Sequence, residues 1–284
     1  MDDSAQITLP HGLWIAGHRL SAVRMRPLDG DDDKFLLAST SSAPLRRANG
    51  LLSRCVLFPE QVPVPSIDAL VVGDREALLL HLHRMTFGDE LQANFSCPSA
   101  ACAETLELKL RVSELLVPPY SDTAPSYQRE IGHGYVQYQV RFRLPTTGDQ
   151  QEIAPLARLD ADKAARQLLR RCVERVLVEG REIEVSGLPE PVIDEIAALM
   201  AELDAQAVIE FTLTCPGCGF RHQVQFDAAD FLLRELDQRV DRTIREVHTL
   251  ALFYHWSEEA ILNLPSDRRQ KYLDLIAAGS EIAS

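Results

Sequence analysis

No apolar run in this 284-residue chain approaches the ~18 residues that a membrane-crossing helix needs, so the sequence offers no candidate span. Its first residues, MDDSAQITLPHG, lack a cationic stretch followed by an apolar one and do not read as a signal peptide. Basic residues are scarce beside acidic ones: 29 Lys+Arg against 42 Asp+Glu, a net charge of −13. Such a chain repels phosphate backbones, which argues against nucleic acid as the main partner. Its two richest basic runs, PLRRANGLLSR and ARQLLRRCVER, interleave with leucines at helical spacing and read as solvated helix faces. Signatures of catalysis are missing too. There is no G-x-x-x-x-G-K-[ST] loop, no G-x-S-x-G elbow, no HExxH and no G-x-G-x-x-G. Asp29, Asp31 and Asp33 have calcium-loop spacing, but the glycine at the sixth position and the glutamate at the twelfth are lacking, so the segment reads as a turn. Asp68 and Asp74, and Glu258 and Glu259, read as acidic helix starts. The chain is therefore expected not to be an enzyme.

What is present is ordinary globular composition, 46% apolar and 25% charged, with length for one large core or two modest ones. Within it the chain repeats itself. LLSRCV at Leu51–Val56 returns as LLRRCV at Leu168–Val173, and RMRPLDGD from Arg24 returns as RFRLPTTGD from Arg141, both at an offset of 117. One inserted residue makes the offset 118 at Gly30 and Gly148, and it is 118 again from Cys97 to Cys215. Three matches in one order indicate two copies of one unit. GDREALLLHLHRMTFG, with Asp74 as N-cap, and EPVIDEIAALMAELD form equivalent amphipathic helices. LQANFSC with AETLELKL, and AVIEFTLTC with GFRHQVQFD, alternate with period two and form hairpins. VPPYSDTAPSYQREIGHG, rich in Pro, Ser and Gly, reads as a linker. From about Asp230 a long helix carries Leu233, Leu236, Val240, Ile244, Val247, Ala251 and Tyr254 as its stripe. Two short helices follow, with Ser257 and Ser266 as caps and Pro265 as the break. The expected fold is α+β: tandem duplicated helix–hairpin units joined by a pair of zinc knuckles, then a C-terminal helical segment. The boundaries are 1–117 for the first copy, 118–136 for the linker, 137–236 for the second copy and 237–284 for the C-terminal helices.

Each hairpin tip carries a cysteine pair: Cys97 and Cys102 in CPSAAC, Cys215 and Cys218 in CPGC. Paired cysteines in a chain without a secretion signal point to metal more than to disulfides. Together the four are expected to hold one structural Zn²⁺, closed to substrate and clamping the two copies. Reduced cysteines without metal and a redox CxxC are the alternatives, and His222 is a spare ligand in principle. Cys55 and Cys172, on leucine-rich helices, read as core residues.

Several segments together resemble a known family. They are LPHG, VRMRPLDGDD and LLSRCV; LVVGDREALLLHLHRMTFGDE followed closely by FSCP; and the ending FLLRELDQRVDRTIREVHTLALFYHWSEEAILNLPSDRRQKYL. The series resembles the baseplate hub and hub-assembly chaperone proteins of contractile phage tails and related extracellular contractile injection systems, from about Leu9 to Leu275 with the linker unmatched. The resemblance implies a non-enzymatic structural or assembly role, with other baseplate or tail proteins of the hub, tube or tape-measure region as partners. It implies assembly in the cytoplasm and leaves both outcomes open, release after assembly or a place in the finished tail or injection particle. A zinc-ribbon module for nucleic acid, or a general scaffold, is the alternative. Tyr254, His255 and Trp256, with Arg268, Arg269 and Tyr272, are the expected partner-binding residues, since aromatics beside Arg anchor interfaces.

Overall fold

Both halves of the chain open with an antiparallel hairpin and close with another. The computed structural model describes residues 4–40, 42–59, 66–102 and 104–282, with side chains as far as 278. In the first unit β1 (Ala5–Ile15) pairs with β2 (His18–Met25) from Ala5↔Met25 to Ile15↔His18. Helices α1 (Gly30–Ala38) and α2 (Pro44–Cys55) lead to β3 (Val56–Leu57), which pairs with β2. Then come α3 (Val72–Phe87), the hairpin β4 (Glu90–Ser96) and β5 (Thr105–Arg111), and the single turn α4 (Val112–Leu115). The second unit follows the same order: β6 (Tyr127–His133), β7 (Val136–Phe142), α5 (Thr147–Ala157), α6 (Ala161–Cys172) and β8 (Val173–Val178). An added strand, β9 (Arg181–Ile183), extends its sheet to β6-β7-β8-β9 before α7 (Glu190–Leu203) and the hairpin β10 (Ile209–Thr214) and β11 (Arg221–Phe226). The chain ends in α8 (Ala228–Tyr254), α9 (Glu258–Leu262) and α10 (Ser266–Ile282). This is a mixed α/β architecture with antiparallel sheets, compatible with the α+β class. Among the described residues no helix is long and apolar enough to cross a membrane.

α1 and α5 are started by the same device. Asp29 caps α1, and Asp32 returns a bond from its carboxylate to the Asp29 N–H at 3.0 Å. Thr146 caps α5, and Asp149 accepts from the Thr146 N–H at 2.9 Å. Reciprocal capping satisfies N–H groups that have no partner inside the helix. Each buried aspartate is also gripped by two arginines: Asp32 by Arg26 at 2.6 Å and Arg54 at 2.8 Å, Asp149 by Arg143 at 2.6 Å and Arg171 at 3.1 Å. Burial opposes their ionisation, but the bonds from Arg26 and Arg143 and from the capping N–H groups hold both carboxyls below the usual range. All these positions stand 117 residues apart, so the expected insertion before Asp149 is absent. Gly148 therefore stands at the place of Asp31 and not of Gly30. Cys55 and Cys172 end α2 and α6, where their carbonyls accept from Arg26 and Arg143 N–H at 3.0 and 2.9 Å. Burial pushes both thiols up to about 12, as suits core residues.

Several expected boundaries move. The segment read as a linker contains β6, with Tyr127 and Ile131 buried; its Pro and Ser signals stop at Ser126. The N-cap of α3 is Val71, and Asp74 lies one turn in with its carboxylate pointed elsewhere. α8 starts at Ala228, so the expected boundary at residue 237 falls within a helix. Ile244, expected on the buried stripe of α8, is exposed, because the buried face there runs through Thr243 and Leu250 and Ile244 lies to one side of it.

Among the described residues there are two cores. Leu9, Val23, Met25, Leu51, Leu78 and Leu82 lie in the first, Val140, Phe142, Leu169, Val176 and Ile196 in the second. α8 follows the second unit yet lies across α1, α2 and α3 of the first, adding Leu232, Leu233, Leu236 and Val240 to that core. A buried polar knot ties the units together. Asp204, just past α7, accepts from the Gly73 N–H at 3.0 Å and lies 3.3 Å from His11 Nε2. Asp74 accepts from the His11 and Gly12 N–H groups at 2.7 and 2.9 Å. The His11 ring packs on Tyr120 at 4.4 Å, and the Tyr120 hydroxyl accepts from the Gln206 N–H at 3.0 Å. A Cβ at residue 73 would lie 1.9 Å from the Asp204 carboxylate, so the close approach of the units requires glycine there.

Candidate metal centre and partner surface

The two terminal hairpins present their cysteines in one way. β4 and β5 pair down to Ser96↔Thr105, and β10 and β11 down to Thr214↔Arg221. One residue further, the Cys97 N–H donates to Glu104 and the Cys215 N–H to Phe220, each at 2.9 Å. The CPGC turn closes with the Gly219 N–H on the Cys215 carbonyl at 2.9 Å, Gly219 taking the left-handed φ of 73°. In the longer CPSAAC turn the Cys102 N–H donates to Ser99 at 2.9 Å.

The tips meet. Cys97 Sγ lies 3.7 Å from Cys218 Sγ, and Cys102 Sγ 3.7 Å from Cys215 Sγ. All four sulfurs lie within 4.8 Å of one another. A tetrahedron with metal–sulfur bonds of about 2.3 Å has edges of about 3.8 Å, whereas a disulfide spans about 2 Å. The gap therefore fits a metal ion and not a crosslink. Backbone N–H groups point at the sulfurs: Ser99 at Cys97, Glu104 at Cys102, Cys218 and Gly217 at Cys215. Such bonds favour thiolate. Burial works against ionisation of Cys215, yet these two N–H groups and the adjacent thiols bring it down to about 7. Cys97 receives the Ser99 N–H, but burial and the three neighbouring thiols push it up to about 12. His222 lies on β11 and stacks on Phe220 at 5.9 Å, outside the sulfur cluster.

At the C-terminal end, Tyr254, Trp256 and Tyr272 form one ring cluster, with centroids 4.8, 4.9 and 5.5 Å apart. It fastens the end of α8 to α10, leaving all three half-buried. His255 terminates α8 in the left-handed conformation and is exposed, as is Arg268. Arg269 is not on the surface: it is 5% exposed, bonded to Glu246 at 2.9 Å and to the Leu264 carbonyl at 2.8 Å. It braces the α9–α10 turn.

The polar knot of His11, Asp74, Asp204, Tyr120 and Gln206 went unread as a unit in the sequence. LPHG and GD mark two of its members, but nothing local to Asp204 or Gln206 signals a partner more than 80 residues away.

Two similarly ordered α/β units whose hairpins converge on four thiols define a clasped, two-unit protein. The chain belongs to the T4 bacteriophage base plate protein family, whose model matches residues 17–233. Searches of curated proteins and of solved structures returned no match. Membership makes it a phage baseplate protein, a structural tail component that meets other tail proteins.

Proposed function

We propose that the chain is a non-enzymatic component of the hub region of a contractile-tail baseplate, or of a related injection machine, serving as a structural part or assembly chaperone. The family match over residues 17–233 carries this reading. Its partners are other baseplate or tail proteins of the hub, tube or tape-measure region, met in the cytoplasm during assembly. Cys97, Cys102, Cys215 and Cys218 hold one structural Zn²⁺; the 3.7 Å sulfur spacings and the all-thiol donor set support this. Four thiolates fill a tetrahedral shell, so the ion supplies cross-linking and no reactive water. The two units are copies of one ancestral unit, supported by the paired capping boxes and arginine grips. Tyr254, His255, Trp256, Arg268 and Tyr272 offer one partner surface, and Arg269 shapes it from beneath.

Mass spectrometry of purified tails and of assembly intermediates tests the reading. The chain should be found in one or both, crosslinked to a tail protein. Its absence from both would contradict the proposal.

A further inference from the structure

The first unit's helical groove is covered, while the same groove on the second unit lies open. α8 crosses α1, α2 and α3, and beneath it Ala48, Leu51, Leu52, Leu79 and Leu82 are fully buried, with His83 at 2% exposure. The corresponding residues of α6 and α7 are Ala165, Leu168, Leu169, Ala197, Met200 and Ala201. They line an apolar cavity of ≈ 270 Å³ completed by Val72, Pro145, Gln150, Ala207 and Val208 and by Asp204, whose carboxylate is taken up by the Gly73 N–H and His11. Ala165, Ala197 and Ala201 are exposed and Leu168 is half-buried, although their counterparts are sealed. Leu79 is replaced by Ala197, which leaves the second groove room for a larger side chain.

We propose that this groove is the docking site for an amphipathic helix of another tail protein, a reading that rests on the baseplate role above. The chain itself shows what such a groove holds. α8 lays an aliphatic stripe, Leu232, Leu233, Leu236 and Val240, into the first one. The rim specifies how the second occupant differs. Over the first groove α8 is held by Glu235 to His83 at 2.6 Å, Arg239 to Asp33 at 3.1 Å and Asp237 to Arg47 at 2.6 Å. The counterparts of His83, Asp33 and Arg47 are Ala201, Gln150 and Ala164, none of them charged. The occupant therefore carries the aliphatic stripe but uncharged flanks. This chain has no helix left for it among the described residues. α8 is engaged on the first unit, and α10 is tied to α8 through Arg269, Glu246 and the ring cluster.

The test is a fluorescein-labelled peptide of residues 228–245 with Glu235, Asp237 and Arg239 changed to Ala, titrated by fluorescence anisotropy against the full chain. It should bind saturably. Ala165→Arg and Ala197→Arg, both at exposed positions, should each weaken binding at least about tenfold while leaving the melting curve unchanged. The unaltered peptide should bind more weakly, because its charges would meet Ala201 and Gln150. Absence of saturable binding, or binding indifferent to both arginine variants, overturns the proposal. So does sedimentation showing a dimer that Ala165→Arg abolishes, since the occupant would then be a second copy. A chain missing from both tails and assembly intermediates would defeat the baseplate reading without altering these titrations.

Discussion

Arg143 grips Asp149 through two parallel bonds, Nη1 to Oδ2 at 2.6 Å and Nη2 to Oδ1 at 3.0 Å. Arg26 grips Asp32 in the same way at 2.6 and 3.1 Å. Each aspartate joins a helix start, a strand end and a second helix, so its loss strips three elements at once. Asp149→Ala or Asp32→Ala is predicted to cost about 2–3 kcal/mol, less than a fully buried pair because the arginines reach water. Urea denaturation checks it; a loss below about 0.5 kcal/mol would place the anchor elsewhere. Both carboxyls are held below their unfolded value near 3.8. Their contribution is therefore complete above that value and drains away as pH falls toward the folded one.

The four cysteines should hold about one zinc per chain, with Cys102→Ser or Cys215→Ser removing most of it. Protons compete for thiolates, so the ion should leave as the solution is acidified. Chelation should loosen the β4–β5 and β10–β11 tips while the two apolar cores persist. Hydrogen exchange reads this: faster exchange confined to the tips supports it, and exchange unchanged by chelator would contradict it.

Asp74 behaves oppositely to Asp32 and Asp149. Burial raises it to about 6, although the His11 backbone bond and ring and the Gly12 N–H favour its charged form. Here the folded state binds the proton first, so this group's contribution rises as pH falls from about 6 to about 4. The penalty of Asp74→Asn should accordingly be larger at pH 4.5 than at pH 7, by about 1–3 kcal/mol. Urea midpoints of the two proteins across that range decide it; a penalty independent of pH would contradict the assignment.

Much of this architecture was legible because its signals are local. CPGC between alternating segments announces a hairpin tip, and the stripe of Ile193, Ile196, Leu199, Met200 and Leu203 announces α7, where Ile196 and Met200 are buried and Val192 joins them. LLSRCV and LLRRCV announce two helices, each of which ends on a buried cysteine. What escaped depends on distance or on weak contrast. β6 buries only Tyr127 and Ile131 among polar neighbours and follows a Pro- and Ser-rich stretch, so it read as linker. Asp74 stands where an N-cap is common, and only the folded chain brings the His11 and Gly12 N–H groups to it. Arg269 sits in a charged turn and looks solvent-facing until Glu246 arrives from α8. The sulfur cluster was readable as two pairs, but its spacing emerges only when the hairpins meet.

Trp256 tests the C-terminal segment. Trp256→Ala should free α10 from α8, raising exchange in Ser266–Ile282 while both cores hold. Removing residues 267–284 also leaves the half-buried carboxylate of Glu246 without Arg269, which should cost about 1–2 kcal/mol near the end of α8. Thermal melting with metal analysis should find a folded, metal-loaded protein that no longer supports tail assembly. Global unfolding would instead make this segment part of the core.

Counting tails in lysates of a strain lacking this gene, by electron microscopy, tests the baseplate role most directly. The account predicts that complete contractile tails disappear, that the intact chain restores them, and that a Cys102→Ser/Cys215→Ser chain restores few. Normal numbers of complete, contractile tails without the gene would contradict it.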